Sequence, residues 1–122
     1  MVKLLEINHV SLHVESLETS VRFYREVLGL EESPRPAFST RGAWFRVAGS
    51  QELHLIEGRT EPVRSAVRGS HFALSTSELE DFERTLDGLG VPVLEIIERS
   101  ERGRQLFLQD PDGYVLEIFQ RA

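Results

Sequence analysis

A chain of 122 residues has room for one domain, or for two small modules that share a core. With 40% hydrophobic and 28% charged residues it reads as globular, and without cysteine it has no disulfide framework, thiolate metal site or cysteine nucleophile, as expected of a cytoplasmic protein. A net charge of −6 argues against nucleic acid and anionic membrane surfaces as partners, and no apolar run is long enough to span a bilayer.

Residues 5 to 14 alternate, with Val10, Leu12 and Val14 on one face and His9, Ser11 and His13 on the other, which predicts a half-buried strand. Leu17, Val21, Tyr24 and Leu28 then recur at helical spacing, and Gly29 is the expected stop. Arg41 to Ala48 and Gln51 to Glu57 read as a strand pair turning at Gly49-Ser50. A polar stretch from Gly58 to Gly69, containing Pro62, is the expected connection to a second series. There, Ser70 to Thr76 is a strand, and Ser77 opens a helix with Glu80 placed for a capping box. Gly88 and Gly90 end that helix. Pro92 to Ile97, Arg104 to Gln109 and Tyr114 to Gln120 are strands, the last two joined by the turn Asp110-Pro111-Asp112-Gly113.

The second series repeats the first. His9 falls on His71 and Leu17 on Leu79 at an offset of 62, and His54 falls on Glu117 at an offset of 63. Residues 1–122 therefore read as one domain of two β-α-β-β-β modules, 5–58 and 69–121.

The four histidines are His9, His13, His54 and His71. Alternation turns His9 away from Val10 and Leu12, and His71 away from Phe72 and Leu74. Glu117 stands among Val115, Leu116, Ile118 and Phe119, where a carboxylate is costly unless it is paired or bound to a metal. A single strand histidine is ordinarily a half-buried, hydrogen-bonded residue. The matched set His9, His71 and Glu117 instead suits a first-row divalent ion with positions left open for substrate. His54 is either a further ligand or a pocket histidine. His13, further along the face that carries His9, is a candidate acid or base. Ser11, Trp44, Arg46 and Phe107 are expected to line a pocket, although strand aromatics also serve as plain core. Lys3 is the sole lysine among 14 basic residues. That excess of arginine is either compositional bias or a source of clamps for an anionic substrate, with Arg46 the first candidate and Arg41 and Arg104 behind it. No phosphate loop or nucleophile elbow is present.

The repeated β-α-β-β-β order, the two histidines in the opening strands and Asp110-Pro111-Asp112-Gly113 before Leu116-Glu117 resemble the vicinal oxygen chelate superfamily. The run from Val21 to Leu30 is similar to that superfamily's first helix. The group includes glyoxalase I, bleomycin-resistance proteins, fosfomycin-resistance thiol transferases, methylmalonyl-CoA epimerase and extradiol dioxygenases. The resemblance implies an α+β fold in which two β-α-β-β-β modules form curved mixed sheets around a metal cleft. It implies His9, His54, His71 and Glu117 as ligands of one divalent ion (Fe, Mn, Ni, Co or Zn), with Glu117 also a catalytic candidate, beside the His13 that the strand pattern offers. Glyoxalase I has a Glu at the second position and the epimerase a Gln, where this chain has His54. Fosfomycin transferases use a lysine for the phosphonate, and the only lysine here is Lys3. The implied activity is a metal-dependent, glyoxalase I-like lyase or isomerase acting on a small oxygenated molecule. The alternatives are an extradiol-dioxygenase-like oxidoreductase and a non-catalytic drug-binding protein of the bleomycin-resistance kind, whose members lack the ligands. The resemblance also implies a homodimer whose metal site is shared between subunits.

Overall fold

A computed structural model of the chain describes residues 1–99 and 101–122. They fall into two compact units, residues 1–61 and 62–122. The first holds β1 (His9–Val14), α1 (Leu17–Glu26), β2 (Glu31–Ser33), β3 (Gly42–Ala48) and β4 (Gln51–Glu57). The second holds β5 (Phe72–Ser75), α2 (Leu79–Leu89), β6 (Glu95–Arg99), β7 (Gly103–Gln109) and β8 (Val115–Arg121). The sheet orders are β1-β4-β3-β2 and β5-β8-β7-β6. In each, the opening and closing strands pair in parallel and the remaining pairs are antiparallel. This is an α+β architecture with the β-α-β-β-β order present twice. No helix among the described residues is long and apolar enough to cross a membrane.

The register decides which side chains meet the helix. In the first unit Leu12 stands opposite Leu55, and Leu55 opposite Ala43. These residues are buried with Val14, Phe45, Leu53 and the α1 residues Ser20 and Tyr24. Fully burying a Leu or Phe contributes roughly 1.5–3 kcal/mol, so this layer carries most of the unit's cohesion. In the second unit Leu106, Leu108, Leu116 and Ile118 form the same layer with Leu79 and Leu86 of α2. The opposite faces carry His9, Ser11 and His13 in one unit, and Ala73 and Glu117 in the other.

Local chemistry explains the turns. Gly49, at φ 55°, opens the two-residue loop between β3 and β4. Asp110 is buried, and its Oδ1 accepts from the backbone N–H of Asp112 and Tyr114 at 2.9 Å. Gly113 at φ 97° completes that turn where a side chain would be strained.

Several boundaries differ from the sequence reading, and four of the differences have a visible cause. The opening strand starts at His9 rather than residue 5, because its ladder with β4 begins at the His9–Glu52 pair. The first helix ends at Glu26, and Gly29 at φ 69° turns the chain away. The strand expected from Pro92 begins at Glu95. The capping box at Ser77 does not form, because α2 starts at Leu79 with Glu78 as N-cap, leaving Ser77 outside the first turn. Leu79 N–H donates instead to Gln120 Oε1 at 2.8 Å. The equivalent bond in the first unit runs from Leu17 N–H to Glu57 Oε2 at 2.9 Å. In both units, then, the closing strand caps the helix.

Candidate functional site

The helix-free face of the first unit is built on β1, β4 and β3, where His9 faces Glu52, Ser11 faces His54 and Trp44 faces His54. The rings stack. Trp44 lies 4.2 Å from His54 at an interplanar angle of 7°, and His54 lies 4.3 Å from His9 at 16°. Phe38 tilts against Trp44, and the Arg35 guanidinium sits 4.8 Å over the Phe38 ring. His9 Nδ1 donates to Asn8 Oδ1 at 2.9 Å, which leaves Nε2 as its free lone pair. His54 is held the other way round, through Nε2, to Glu52 Oε1 at 3.1 Å. Glu52 also accepts from Ser33 Oγ at 2.8 Å, and these hydrogen bonds, His54's first, hold its carboxyl below the usual carboxylate range. Glu52 is a neighbour the sequence reading missed. It shares the His54 face by the two-residue period, which was the available signal.

In the second unit His71 immediately precedes β5, and Glu117 lies in the middle of β8. Glu117 is 8% exposed, although it stands on the helix-free face. Its Oε1 lies 3.0 Å from His71 Nε2, and its Oε2 accepts from Gln105 Nε2 at 3.0 Å. His71 Nδ1 donates to the Ala66 carbonyl at 3.3 Å, so His71 and His9 are both oriented through Nδ1. The remaining lone pair of His71 Nε2 then faces a carboxylate oxygen. Only a proton or a metal ion on Nε2 makes that 3.0 Å contact attractive. Imidazole nitrogen and carboxylate oxygen are the donors that first-row divalent ions take, and hydrogen-bonded Nδ1 groups are how such ligands are oriented. The residues present therefore fit a divalent ion. Within neither unit, among the described residues, do three such side chains gather at one point.

The other anticipated site residues divide between the two faces. Ser11, His13, Trp44 and Arg46 share the helix-free face with His9 and His54. Phe107 shares the Glu117 face but is only 2% exposed, its ring meeting His71 edge-on at 5.4 Å, so it buttresses the histidine. Phe45 is core. Arg41 and Arg104 are on the opposite, helix-facing side. Arg41 pairs with Glu18 of α1 and with Glu57, and Arg104 pairs with Glu83 of α2 and with Glu98. The reason is parity, since Arg41 alternates with Ala43 and Phe45, and Arg104 with Leu106 and Leu108. A cleft of about 390 Å³ opens on the Glu117 face, lined by Ala73, Ser75, Arg102, Gln105, Glu117 and Phe119 among others.

The family model described as Glyoxalase/Bleomycin resistance protein/Dioxygenase superfamily matches residues 6–118. Glyoxylase I 4 of Arabidopsis thaliana is 30% identical over 123 residues, spanning 94% of this chain and 70% of that protein. Metallothiol transferase FosB of Staphylococcus haemolyticus is 32% identical over 121 residues, spanning 92% of this chain and 81% of the transferase. The crystal structure of a glyoxylase/bleomycin resistance protein/dioxygenase domain from Frankia sp. EAN1pec matches with a TM-score of 0.81 at 27% identity, covering 98% of this chain and 94% of that one.

Proposed function

Since the chain belongs to the Glyoxalase/Bleomycin resistance protein/Dioxygenase superfamily, we propose that it is a divalent-metal-dependent enzyme acting on a small oxygenated molecule, with lyase or isomerase chemistry of the glyoxalase I type. The observation that carries this reading is the His71–Glu117 pair. A buried carboxylate oxygen lies 3.0 Å from the Nε2 of an imidazole already oriented through Nδ1, an arrangement that a proton closes and that also offers two donor atoms to one ion. His9, His71 and Glu117 are the proposed ligands, with His54 the fourth. When bound, the ion supplies Lewis acidity toward two neighbouring substrate oxygens.

The protein's own groups do the rest. Gln105 holds Glu117 Oε2, which fixes the carboxylate plane and keeps Oε1 against His71 Nε2; when Oε1 leaves that contact, Glu117 is the group placed to move a proton between adjacent carbons of the substrate. The Trp44–His54–His9 stack fixes the planes of both imidazoles. Ser11 and Arg46 supply a hydroxyl and a cation on that face, and His13 a second proton-carrying group. The likeness to Glyoxylase I 4 supports the reaction class, and the likeness to a metallothiol transferase supports dependence on a metal. A drug-binding role is disfavoured because binders of that kind have no use for two oriented imidazoles and a buried carboxylate. Each unit offers only part of the ligand set, so the proposal includes a homodimer in which the first unit of one chain completes the site with the second unit of its partner.

The test is metal uptake. Protein dialysed against Zn, Mn, Ni or Fe(II) takes up one ion per chain, and His71→Ala abolishes stoichiometric binding. A wild-type protein that takes up none of these ions sinks the reading.

A further inference from the structure

The turn that precedes β5 is built around the carbonyl that holds His71. Ala66 N–H donates to the Ser70 carbonyl at 3.1 Å, and Gly69 N–H donates to the Ala66 carbonyl at 3.2 Å. That same Ala66 carbonyl accepts from His71 Nδ1. A surface turn on a connecting segment would by itself hold a histidine loosely. This one is tied to the sheet at two points. Ser65 Oγ donates to the Ser70 carbonyl at 2.8 Å and accepts from the backbone N–H of Val115 at 2.8 Å, so one hydroxyl joins the turn to the first residue of β8. Arg68, within the turn, reaches Glu95 of β6, with Nη1 3.2 Å from Oε1 and Nη2 3.1 Å from Oε2. Arg68 is largely exposed, and such a pair adds little. Ser65 is the stronger tie, because losing it would leave the N–H of Val115, a residue only 2% exposed, without its acceptor.

The repeat shows what the turn replaces. His9 matches His71 at an offset of 62, which sets Asn8 against Ser70. In the first unit Asn8 brings its own acceptor, and His9 Nδ1 bonds to that side chain. Ser70 instead gives its carbonyl to Ala66 and Ser65, and the acceptor for His71 comes from the turn. The acceptor matters because Glu117 Oε1 lies 3.0 Å from Nε2 on the far side of the ring. Glu117 alone would draw the imidazole proton to Nε2, whereas an acceptor at Nδ1 keeps a proton there and leaves Nε2 for an ion.

We propose that Ser65 is a positioning residue for His71. Its hydroxyl holds the turn against β8, the turn aims the Ala66 carbonyl at Nδ1, and the carbonyl keeps a proton on Nδ1 so that Nε2 is the nitrogen offered beside Glu117. This rests on the reading of His71 as a metal ligand and adds the residue that sets its direction.

Ser65→Ala is the test, with Ser65→Thr, which keeps the hydroxyl, beside it. The first readout is the His71 Nδ1 proton in metal-free protein carrying nitrogen-labelled histidine, identified in NMR spectra by its loss in His71→Ala. It is expected to exchange slowly with water in the wild type and about tenfold faster in Ser65→Ala. The second readout is zinc affinity. Ser65→Ala is expected to bind Zn(II) about tenfold more weakly, as when the group orienting a ligand is lost, and Ser65→Thr to match the wild type in both readouts. A serine that served only the fold would lower the urea midpoint and leave both readouts where they were, and that result overturns the proposal. So does a threonine variant as impaired as the alanine one, or a wild-type His71 whose Nδ1 carries no proton. Should Ser65→Ala fail to fold, Ser65→Cys keeps the shape of the side chain with a weaker donor and acceptor, and the same readouts decide. If the wild type takes up no zinc or other ion, the function proposed above fails, and the Nδ1 proton of the metal-free protein still decides the role of Ser65.

Discussion

The charge on Glu117 is held by two neighbours that ask different things of it. Gln105 needs an acceptor, which an amide also supplies, whereas His71 Nε2 meets Glu117 through a proton or an ion, and only the carboxylate charge favours the ion. Glu117→Gln keeps the hydrogen bonds and removes the charge. It is expected to weaken Mn(II) binding more than tenfold in equilibrium dialysis while leaving the urea midpoint unchanged or slightly raised, because a buried charge is lost without a cavity. A large fall in that midpoint would instead make Glu117 a structural residue. His9, His71 and Glu117 were legible as candidates because they recur at matched positions in a repeat. Glu52 and Gln105 were not. The first looks like any acidic strand end, and the second is uncharged and matters only through a bond to a residue twelve positions away. Arg41 and Arg104, candidate clamps on composition alone, alternate with Ala43 and Leu106, and that parity places them on the helix-facing side.

At the level of elements, the helices take part of their end-capping from strands. Ser16 caps α1 through Thr19 N–H at 3.3 Å, with Glu57 added at Leu17, whereas the N-cap residue of α2, Glu78, makes no side-chain cap and Gln120 stands in for it. Gln120→Ala is therefore expected to destabilise the protein by about 1 kcal/mol in urea unfolding, the usual worth of a helix cap. No sequence rule for caps finds this, because the capping group is 41 residues away and its reach depends on the parallel pairing of β5 with β8. The strand β2 was equally hidden, since Glu31–Ser33 is too short and polar to alternate. Arg41 ties α1 to the sheet through Glu18 and Glu57. Its hydrogen bond and charge hold the Glu18 carboxyl below its ordinary value near 4.5. A carboxyl with a lowered folded pKa stabilises above its ordinary value, and that contribution is lost as pH falls through the lowered one. Wild type should thus be more stable than Arg41→Gln at pH 7, with the gap closing below about pH 4.5 and shrinking in high salt because the pair is exposed. A gap that persists at pH 2 would assign Arg41's role to packing.

For the molecule as a whole, the repeat is what made the fold readable: two opening strands, two helices and two closing strands at offsets of 62 and 63 define the β-α-β-β-β order twice, and the family match spans residues 6–118. The repeat also distributes the proposed ligands, with His9 and His54 in the first unit and His71 and Glu117 in the second. Neither half-set holds an ion by itself in the proposed arrangement, and a two-fold dimer is the simplest closed assembly that joins a first unit to a second twice. Complementation tests this directly. Take one chain carrying His9→Ala and another carrying Glu117→Ala, each expected to bind no ion stoichiometrically as a homodimer. If sites are shared between chains, the mixed dimer has one site with both ligands intact and one lacking both, so each heterodimer regains about half of the wild-type metal content. If each site lies within a chain, every site in the mixture lacks one ligand and nothing is regained. Native mass spectrometry separates the three dimers and reads the metal on each. An ion on the heterodimer alone supports the shared site, whereas bare heterodimers after confirmed subunit exchange, or a monomeric wild type, rule it out.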